Sequence, residues 1–164
     1  MATLNVAPGM ERPGQRFWKI APGRNASIWK QCRDGGYIAV GWNEMGNLAG
    51  LDWAGFQARA RDLMAEHPDW AQQGLGQLWL FLEIREGDRV VANRGTTTIL
   101  GIGTVAGRYY FEPGGAYGQR LPVRWEDTEP RAVRKPGWRR TLMELSRREF
   151  EGLISINPQP EPPG

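Results

Sequence analysis

The sequence is poor in the residues that build most metal and nucleophilic centres. It holds one histidine, His67, and one cysteine, Cys32. A single residue of each type does not supply an ordinary zinc site, and a Cys-His pair would lack a third residue to orient it. A lone cysteine also excludes an internal disulfide framework. The sequence therefore predicts no metal site.

Lysine is also scarce, and its positions exclude further kinds of catalysis. The three lysines are Lys19, Lys30 and Lys135, and none has Asp or Glu two residues before it, so the Asp/Glu-x-Lys pattern of many nucleases is absent. The Gly-Lys-Ser/Thr of a phosphate-binding Walker loop is absent too. A G-x-G-x-x-A run spans 101–106, but strand-forming residues surround it and no helical pattern follows. The sequence therefore predicts no bound cofactor.

Long apolar runs are missing. No stretch approaches the roughly 18 apolar residues of a membrane-spanning helix. The first residues lack the basic and apolar regions of a signal peptide. These features predict a cytoplasmic protein that makes no contact with membrane.

Arginine and tryptophan, in contrast, are abundant. The chain of 164 residues has eight tryptophans, and 18 of its 21 basic residues are arginine. The segment 131–148 carries seven basic residues and one acidic residue, although the net charge of the whole chain is only +3. Arginine pairs with phosphates and stacks on rings, and tryptophan offers a flat apolar face, so this composition suits nucleic acid. Tryptophan also suits a packed core, and arginine also suits a solvated surface, so the composition alone does not decide between these interpretations.

The chain divides into three parts. Residues 1–16 hold two prolines and two glycines without periodicity, which predicts a flexible arm. Residues 17–156 have the length of one globular domain. Residues 157–164 are rich in proline, which predicts an extended linker to a missing downstream domain.

Within the domain, strand and helix patterns are mixed. Four helices are expected: one around Trp29 with Asn25 or Ser27 as its N-cap, two with apolar faces near Phe56 and Leu78, and one begun by a Ser146–Glu149 capping box. The expected strands are 17–20, 37–42, 88–93, 97–106, 108–112 and 121–126. Short antiparallel strands with peripheral helices predict an α+β domain around a small curled sheet or barrel.

Several runs, taken in order, resemble a known group of domains. They are Trp18–Gly23, Gly36–Trp42, Leu78–Val91, Asn93–Gly95 and Leu100–Gly103. Together these runs resemble the EVE-like domain at the amino terminus of McrB-type modification-dependent restriction proteins, and the wider EVE, YTH and PUA-like superfamily. The resemblance implies a PUA-like barrel whose aromatic pocket receives a modified base flipped out of nucleic acid.

The resemblance also implies roles for particular residues. Trp42 matches the first wall of the base pocket, although strand alternation also gives it the apolar face of Ile38 and Val40. Asn43 is a candidate for a base-edge hydrogen bond or for a turn. Asn25 and Ser27 are candidates for contacts with the base or for helix caps. A second pocket wall is expected from the region of Tyr109 and Tyr110, where Phe111 and Tyr117 are further candidates. The charge of segment 131–148 and the positions of three further arginines on turns, independently of the resemblance, indicate the candidates for DNA backbone contacts: Arg24, Arg94, Arg108, Arg139 and Arg140.

The expected function is a reader of double-stranded DNA that carries a modified, methylated base, without catalysis of its own. The resemblance implies that a AAA+ GTPase domain and a nuclease subunit complete the restriction complex. Three alternatives remain open. They are a YTH-like or PUA-like RNA-binding module, a small ASCH-like hydrolase, and a structural interaction domain that binds no nucleic acid.

Overall fold

The structure, a computed structural model, describes residues 14–69 and 72–158. Most of the predicted arm and most of the predicted linker therefore lie outside the described residues. Within these ranges the chain forms eight strands and four α-helices. They are β1 Phe17–Ile20, α1 Trp29–Gly35, β2 Tyr37–Val40, α2 Trp53–Glu66, α3 Gln72–Leu82, β3 Arg89–Arg94, β4 Thr98–Val105, β5 Tyr110–Phe111, β6 Gln119–Asp127, β7 Arg131–Ala132, β8 Leu142–Leu145 and α4 Arg147–Ile154.

The strands form one curled sheet in the order β2-β6-β4-β3-β1-β8, with β5 paired to β6 and β7 paired to β4. The predicted α+β class is confirmed. β1 pairs with β3 in parallel, with Ile20 opposite Ala92. This pair was not expected, because the sequence pattern predicted antiparallel strands. The parallel pair places the ends of β1 and β3, and the loops that follow them, side by side.

The sheet has a hydrophobic core on each face. Alternation along β1 sends Trp18 and Ile20 to the face covered by α2 and α3, where Phe56 and Leu78 are buried. Phe17 points to the opposite face and packs in the core that holds Phe150 of α4. The predicted apolar faces of these helices are confirmed. The two cores bury both faces of β1. The strand therefore holds the segments attached to it in fixed positions.

The helix α1 packs on the sheet through a third small cluster around Cys32. A Cβ atom at Gly101 of β4 would lie 2.5 Å from the ring of Trp29 in α1. The glycine therefore allows helix and strand to approach closely. Residues 101–105 of the G-x-G-x-x-A run lie in β4, as expected from their strand-forming character, and Ala106 follows the strand.

The helix starts agree with the sequence at one end of the chain and differ at the other. Ser146 Oγ accepts a hydrogen bond from the Glu149 N–H at 3.0 Å, which confirms the predicted cap of α4. The prediction that Asn25 or Ser27 caps α1 is wrong, because the N-cap residue is Ile28 and no side chain bonds to the helix start. The chain between β1 and α1 instead forms a 3-10 turn over Arg24–Ala26.

The basic segment contains two strands that the sequence pattern did not indicate. β7 pairs with the start of β4, and β8 pairs with β1. The predicted strand 108–112 is reduced to β5. None of the described helices is long and apolar enough to cross a membrane. Among the described residues, no group of three or more His, Cys, Asp or Glu side chains is placed to hold a metal ion.

Candidate nucleic-acid interface

An open cavity of about 510 Å³ lies where β1 and β3 end. Three segments form it: the loop after β1, the turn between β3 and β4, and the segment before β8. Its volume falls in the range of small-molecule sites, roughly 300–1,000 Å³. The lining residues are Ala21, Gly23, Arg24, Asn25, Asn93, Gly95, Thr96, Trp138, Arg139, Arg140 and Thr141.

Two buried side chains belong to this lining. Trp138 is 4% exposed and packs in the core beneath α4. Asn93 is 1% exposed, and its Nδ2 donates a hydrogen bond to Gly95 O at 2.8 Å. The Asn93 Oδ1 atom is buried and accepts no hydrogen bond within the described structure. A buried acceptor without a partner costs about 1–3 kcal/mol, so the free protein keeps a destabilising group at this cavity.

The loop after β1 has an unusual backbone. Asn25 and Ala26 adopt left-handed conformations with φ of 54° and 59°. Residues other than glycine rarely adopt this region, and such strain clusters at functional sites. Backbone hydrogen bonds hold the loop, including the one from the Ile28 N–H to Pro22 O at 3.1 Å. The Asn25 side chain is exposed and lines the cavity.

The charge of the cavity is of one sign. Arg24, Arg139 and Arg140 line it, and the lining holds no carboxylate. Each of the three arginines is exposed, and none makes an ion pair with a described residue. Three free guanidinium groups around one opening favour an anionic ligand.

A buried lysine contacts the backbone of one of these three arginines. The Lys19 side chain is fully buried, and its Nζ donates a hydrogen bond to Arg140 O. Burial lowers the pKa of Lys19 to about 8. Lys19 therefore positions the backbone of Arg140. Burial of its charged ammonium group costs free energy of desolvation.

The structure thus brings together four of the sequence-predicted site residues: Arg24, Asn25, Arg139 and Arg140. Ser27 is exposed in the same loop but does not line the cavity. Arg94 ends β3 next to the lining residues Asn93 and Gly95. Arg108 follows the other end of β4 and is exposed there.

The predicted aromatic wall lies elsewhere. Trp42 follows β2, is half-buried and has a left-handed φ of 62°. Its ring packs against α3, where a Cβ atom at Gly74 would lie 3.0 Å away. Gln119 Nε2 donates a hydrogen bond to Trp42 O at 3.2 Å. Trp42 is therefore part of the packing between the sheet and α3, and it does not line the cavity.

Two other residues predicted for the aromatic pocket, Asn43 and Tyr109, use their polar atoms to hold loops. Asn43 Nδ2 donates to Gly115 O, and Asn43 Oδ1 accepts from the Gly118 N–H at 2.7 Å. The Tyr109 hydroxyl accepts from the Leu48 N–H at 3.0 Å and donates to a side-chain oxygen of β6. Burial raises the pKa of Tyr109. Tyr110 lies half-buried in β5 and likewise outside the cavity lining.

The basic segment is divided between structural and exposed cations. Arg131 is buried, with its Nη2 2.7 Å from Asp127 Oδ2 and its Nε donating to Ile156 O at 2.7 Å. Lys135 Nζ lies 2.8 Å from Glu149 Oε2. These two cations stabilise the fold. Arg134 and Arg148 are exposed and line a smaller groove beside α4.

A further groove of about 530 Å³ runs between α2 and α3. Trp53, which is 48% exposed, and Phe56 stack in parallel along it at a centroid distance of 5.9 Å. Its lining is mainly apolar and includes Arg61, but it contains no sequence-predicted site residue.

Sequence reasoning missed the two buried residues of the cavity. Asn93 is a polar residue at the end of the apolar run Val90–Ala92, and that contrast was a readable signal. Trp138 stands in a polar, basic stretch that lacks strand or helix periodicity. Its burial depends on α4 and β1, so no local pattern identifies it.

The fold and the site define a small α+β domain with a basic cavity at one end of a curled sheet. The model of a family described as a domain of unknown function, DUF8426, matches residues 18–144. The match covers most of the chain, and the chain belongs to this family. The matched range includes every residue that lines the cavity. No curated protein matches the chain significantly.

Proposed function

We propose that this domain reads a modified base in double-stranded DNA, and that the base enters the basic cavity at the end of β1 and β3. The observation that carries the proposal is the cavity itself. It joins Arg24, Arg139 and Arg140 to a buried aromatic residue, Trp138, and to the unpartnered acceptor of Asn93. Phosphate, an aromatic ring system and a hydrogen-bonding edge are the three parts of a nucleotide that these groups complement.

The energetics agree with this assignment. Removing a nucleotide from a duplex costs a few kcal/mol of unstacking and unpairing. Arginines at the cavity mouth gain affinity from phosphates on either side of the flipped nucleotide. An apolar niche that accepts one methyl group adds about 1–3 kcal/mol, so preference for the modified base is modest at each site.

The proposal gives Trp42, Asn43, Tyr109 and Tyr110 a supporting role. The described contacts of Trp42, Asn43 and Tyr109 hold the loops after β2 and before β6, Tyr110 pairs with β6, and none of the four lines the cavity. The resemblance to the EVE-like group and the curled sheet support a PUA-like fold with this function. By the same resemblance, we propose that the domain is the reading part of a cytoplasmic restriction complex in which a AAA+ GTPase domain and a nuclease subunit act on the DNA.

The test is a fluorescence-anisotropy titration with matched duplexes at one salt concentration. The duplexes are unmodified or carry 6-methyladenine, 5-methylcytosine or 4-methylcytosine, and an RNA of the same sequence is the control. We expect tighter binding to one modified duplex than to the unmodified duplex. Equal affinity for every duplex would overturn the reader assignment, and tighter binding to the RNA would favour an RNA-binding module.

A further inference from the structure

We infer that Asn93 selects the chemical class of the bound base: its Oδ1 accepts a hydrogen bond from an exocyclic amine, so the ligand is a modified adenine, cytosine or guanine that keeps at least one amine N–H, and thymine is rejected. The inference rests on the proposed function, because it assumes that a base occupies the cavity. Beyond the proposed function, the inference states which edge of the base Asn93 contacts and which bases are rejected.

The Asn93 side chain has one polar atom with a partner and one without. Its Nδ2 donates to Gly95 O at 2.8 Å, and this bond fixes which end of the amide is oxygen. Its Oδ1 is buried and accepts nothing within the described structure. More than 90% of buried backbone groups and most buried side-chain polar atoms have partners in folded proteins. An orphaned acceptor on a residue that lines a cavity therefore points to a donor supplied by the ligand.

Asn93 lies at an irregularity in the sheet. The pairing of β3 with β4 shifts between Ala92 and Asn93, where Leu100 has no partner on β3. Such bulges redirect side chains and are frequent next to binding sites. Asn93 follows this irregularity and is 1% exposed. The hydrogen bond to Gly95 O holds the Asn93 amide at this position in the free protein.

The charged groups of the lining complement a different part of the ligand. Arg24, Arg139 and Arg140 are donors only, so they complement phosphate oxygens or acceptors on a base. Adenine, cytosine and guanine each present an exocyclic amine donor on the edge that pairs in a duplex, and thymine does not. In thymine the ring N–H stands between two carbonyl oxygens, which would face the Asn93 oxygen and repel it. A base with an exocyclic amine therefore fits this acceptor better than thymine does.

The test replaces the exocyclic nitrogen of the ligand with oxygen; in thymine the ring N3 also gains a hydrogen. Duplexes carry the preferred modified base or an analogue in which oxygen replaces the exocyclic nitrogen: 6-methoxypurine for 6-methyladenine, 4-methoxypyrimidinone for 4-methylcytosine, or thymine for 5-methylcytosine. Binding is measured for the wild-type protein, for Asn93→Leu and for the control Asn47→Ala, which lies outside the cavity lining. Circular dichroism and thermal unfolding verify that each variant is folded.

We expect the oxygen analogue to bind the wild-type protein about tenfold more weakly, which corresponds to about 1.4 kcal/mol. Asn93→Leu is expected to bind the modified base and its analogue equally, and Asn47→Ala is expected to behave as wild type. A modified base and analogue that bind the wild-type protein equally well would overturn the inference while leaving the reader function intact. If no modified duplex is preferred over the unmodified duplex, both the function and this inference fail. The wild-type comparison alone decides the inference if Asn93→Leu does not fold.

Discussion

Single polar residues inside apolar strands determine where this domain can bind a ligand. Lys19 and Asn93 are both buried on neighbouring strands, and both lie at the basic cavity or beneath it. Lys19 holds the backbone of Arg140, whereas Asn93 keeps an unsatisfied acceptor. Each group costs stability in the free protein, which is common where a site is built in advance of its ligand.

The buried charge of Lys19 predicts an unusual pH dependence of stability. The pKa of Lys19 is about 8 in the folded protein and about 10.5 when exposed. Between these values the unfolded chain binds more protons than the folded chain, so the free energy of unfolding rises as the pH increases. We expect this rise between pH 8 and 9 in urea titrations of the wild-type protein.

The matched variants are Lys19→Met and Lys30→Met, the second at an exposed position of α1. Lys19→Met is expected to lose the rise and Lys30→Met to keep it. The measurement stops at pH 9 because burial raises the pKa of Cys32 from 9.0 to about 12, which makes stability fall at higher pH. A rise that persists in Lys19→Met would show that another group is responsible.

At the scale of elements, local patterns predicted more than distant pairings. The apolar periodicity of α2 and α3 and the Ser146 cap of α4 depend on residues within a few turns, and the structure confirms them. The strand β8 and the parallel pairing of β1 with β3 depend on residues far apart in sequence. Local patterns could not predict the cavity for the same reason, because the three segments that form it meet only after β1 has paired with a strand on each side.

The packing of α1 on β4 gives a prediction at this scale. A Cβ atom at Gly101 would lie 2.5 Å from the ring of Trp29, and that ring also packs edge-on against Trp125 at a centroid distance of 4.9 Å. Gly101→Ala is therefore expected to lower the free energy of unfolding by about 1–3 kcal/mol. Urea denaturation measures the change.

The control is the same substitution in α3. A Cβ atom at Gly76 would meet nothing within 4 Å, so Gly76→Ala is expected to raise the free energy of unfolding by about 0.5–1 kcal/mol. Similar effects of the two variants, in either direction, would contradict the packing assigned to Gly101.

At the scale of the whole molecule, positive charge is concentrated on one region. Segment 131–148 has a net charge of +6, which leaves −3 for the rest of the chain. The structure removes Arg131 and Lys135 from the available cations and leaves Arg139 and Arg140 at the cavity. The sequence alone indicated the charge of this segment. It did not indicate which of the cations form ion pairs within the fold and are therefore not available to a ligand.

This distribution predicts the salt dependence of DNA binding. Arg139→Ala with Arg140→Ala is expected to weaken binding to modified and unmodified duplexes by similar factors. The slope of log affinity against log salt is expected to fall by about 0.9 for each phosphate that the variant no longer neutralises. The control pair is Arg61→Ala with Arg85→Ala, two exposed arginines that do not line the cavity. An equal fall in slope for both pairs would show that binding is spread over the surface.

The central claim is that the base enters the cavity beside Trp138 and not a pocket beside Trp42. The most direct measurement is a heteronuclear NMR spectrum of the tryptophan indole N–H signals with a modified duplex, compared with the same duplex unmodified. Replacement of each tryptophan by phenylalanine assigns its signal. We expect the modification to shift the Trp138 signal and to leave the Trp42 signal unchanged. A shift of Trp42 with no change at Trp138 would contradict the account.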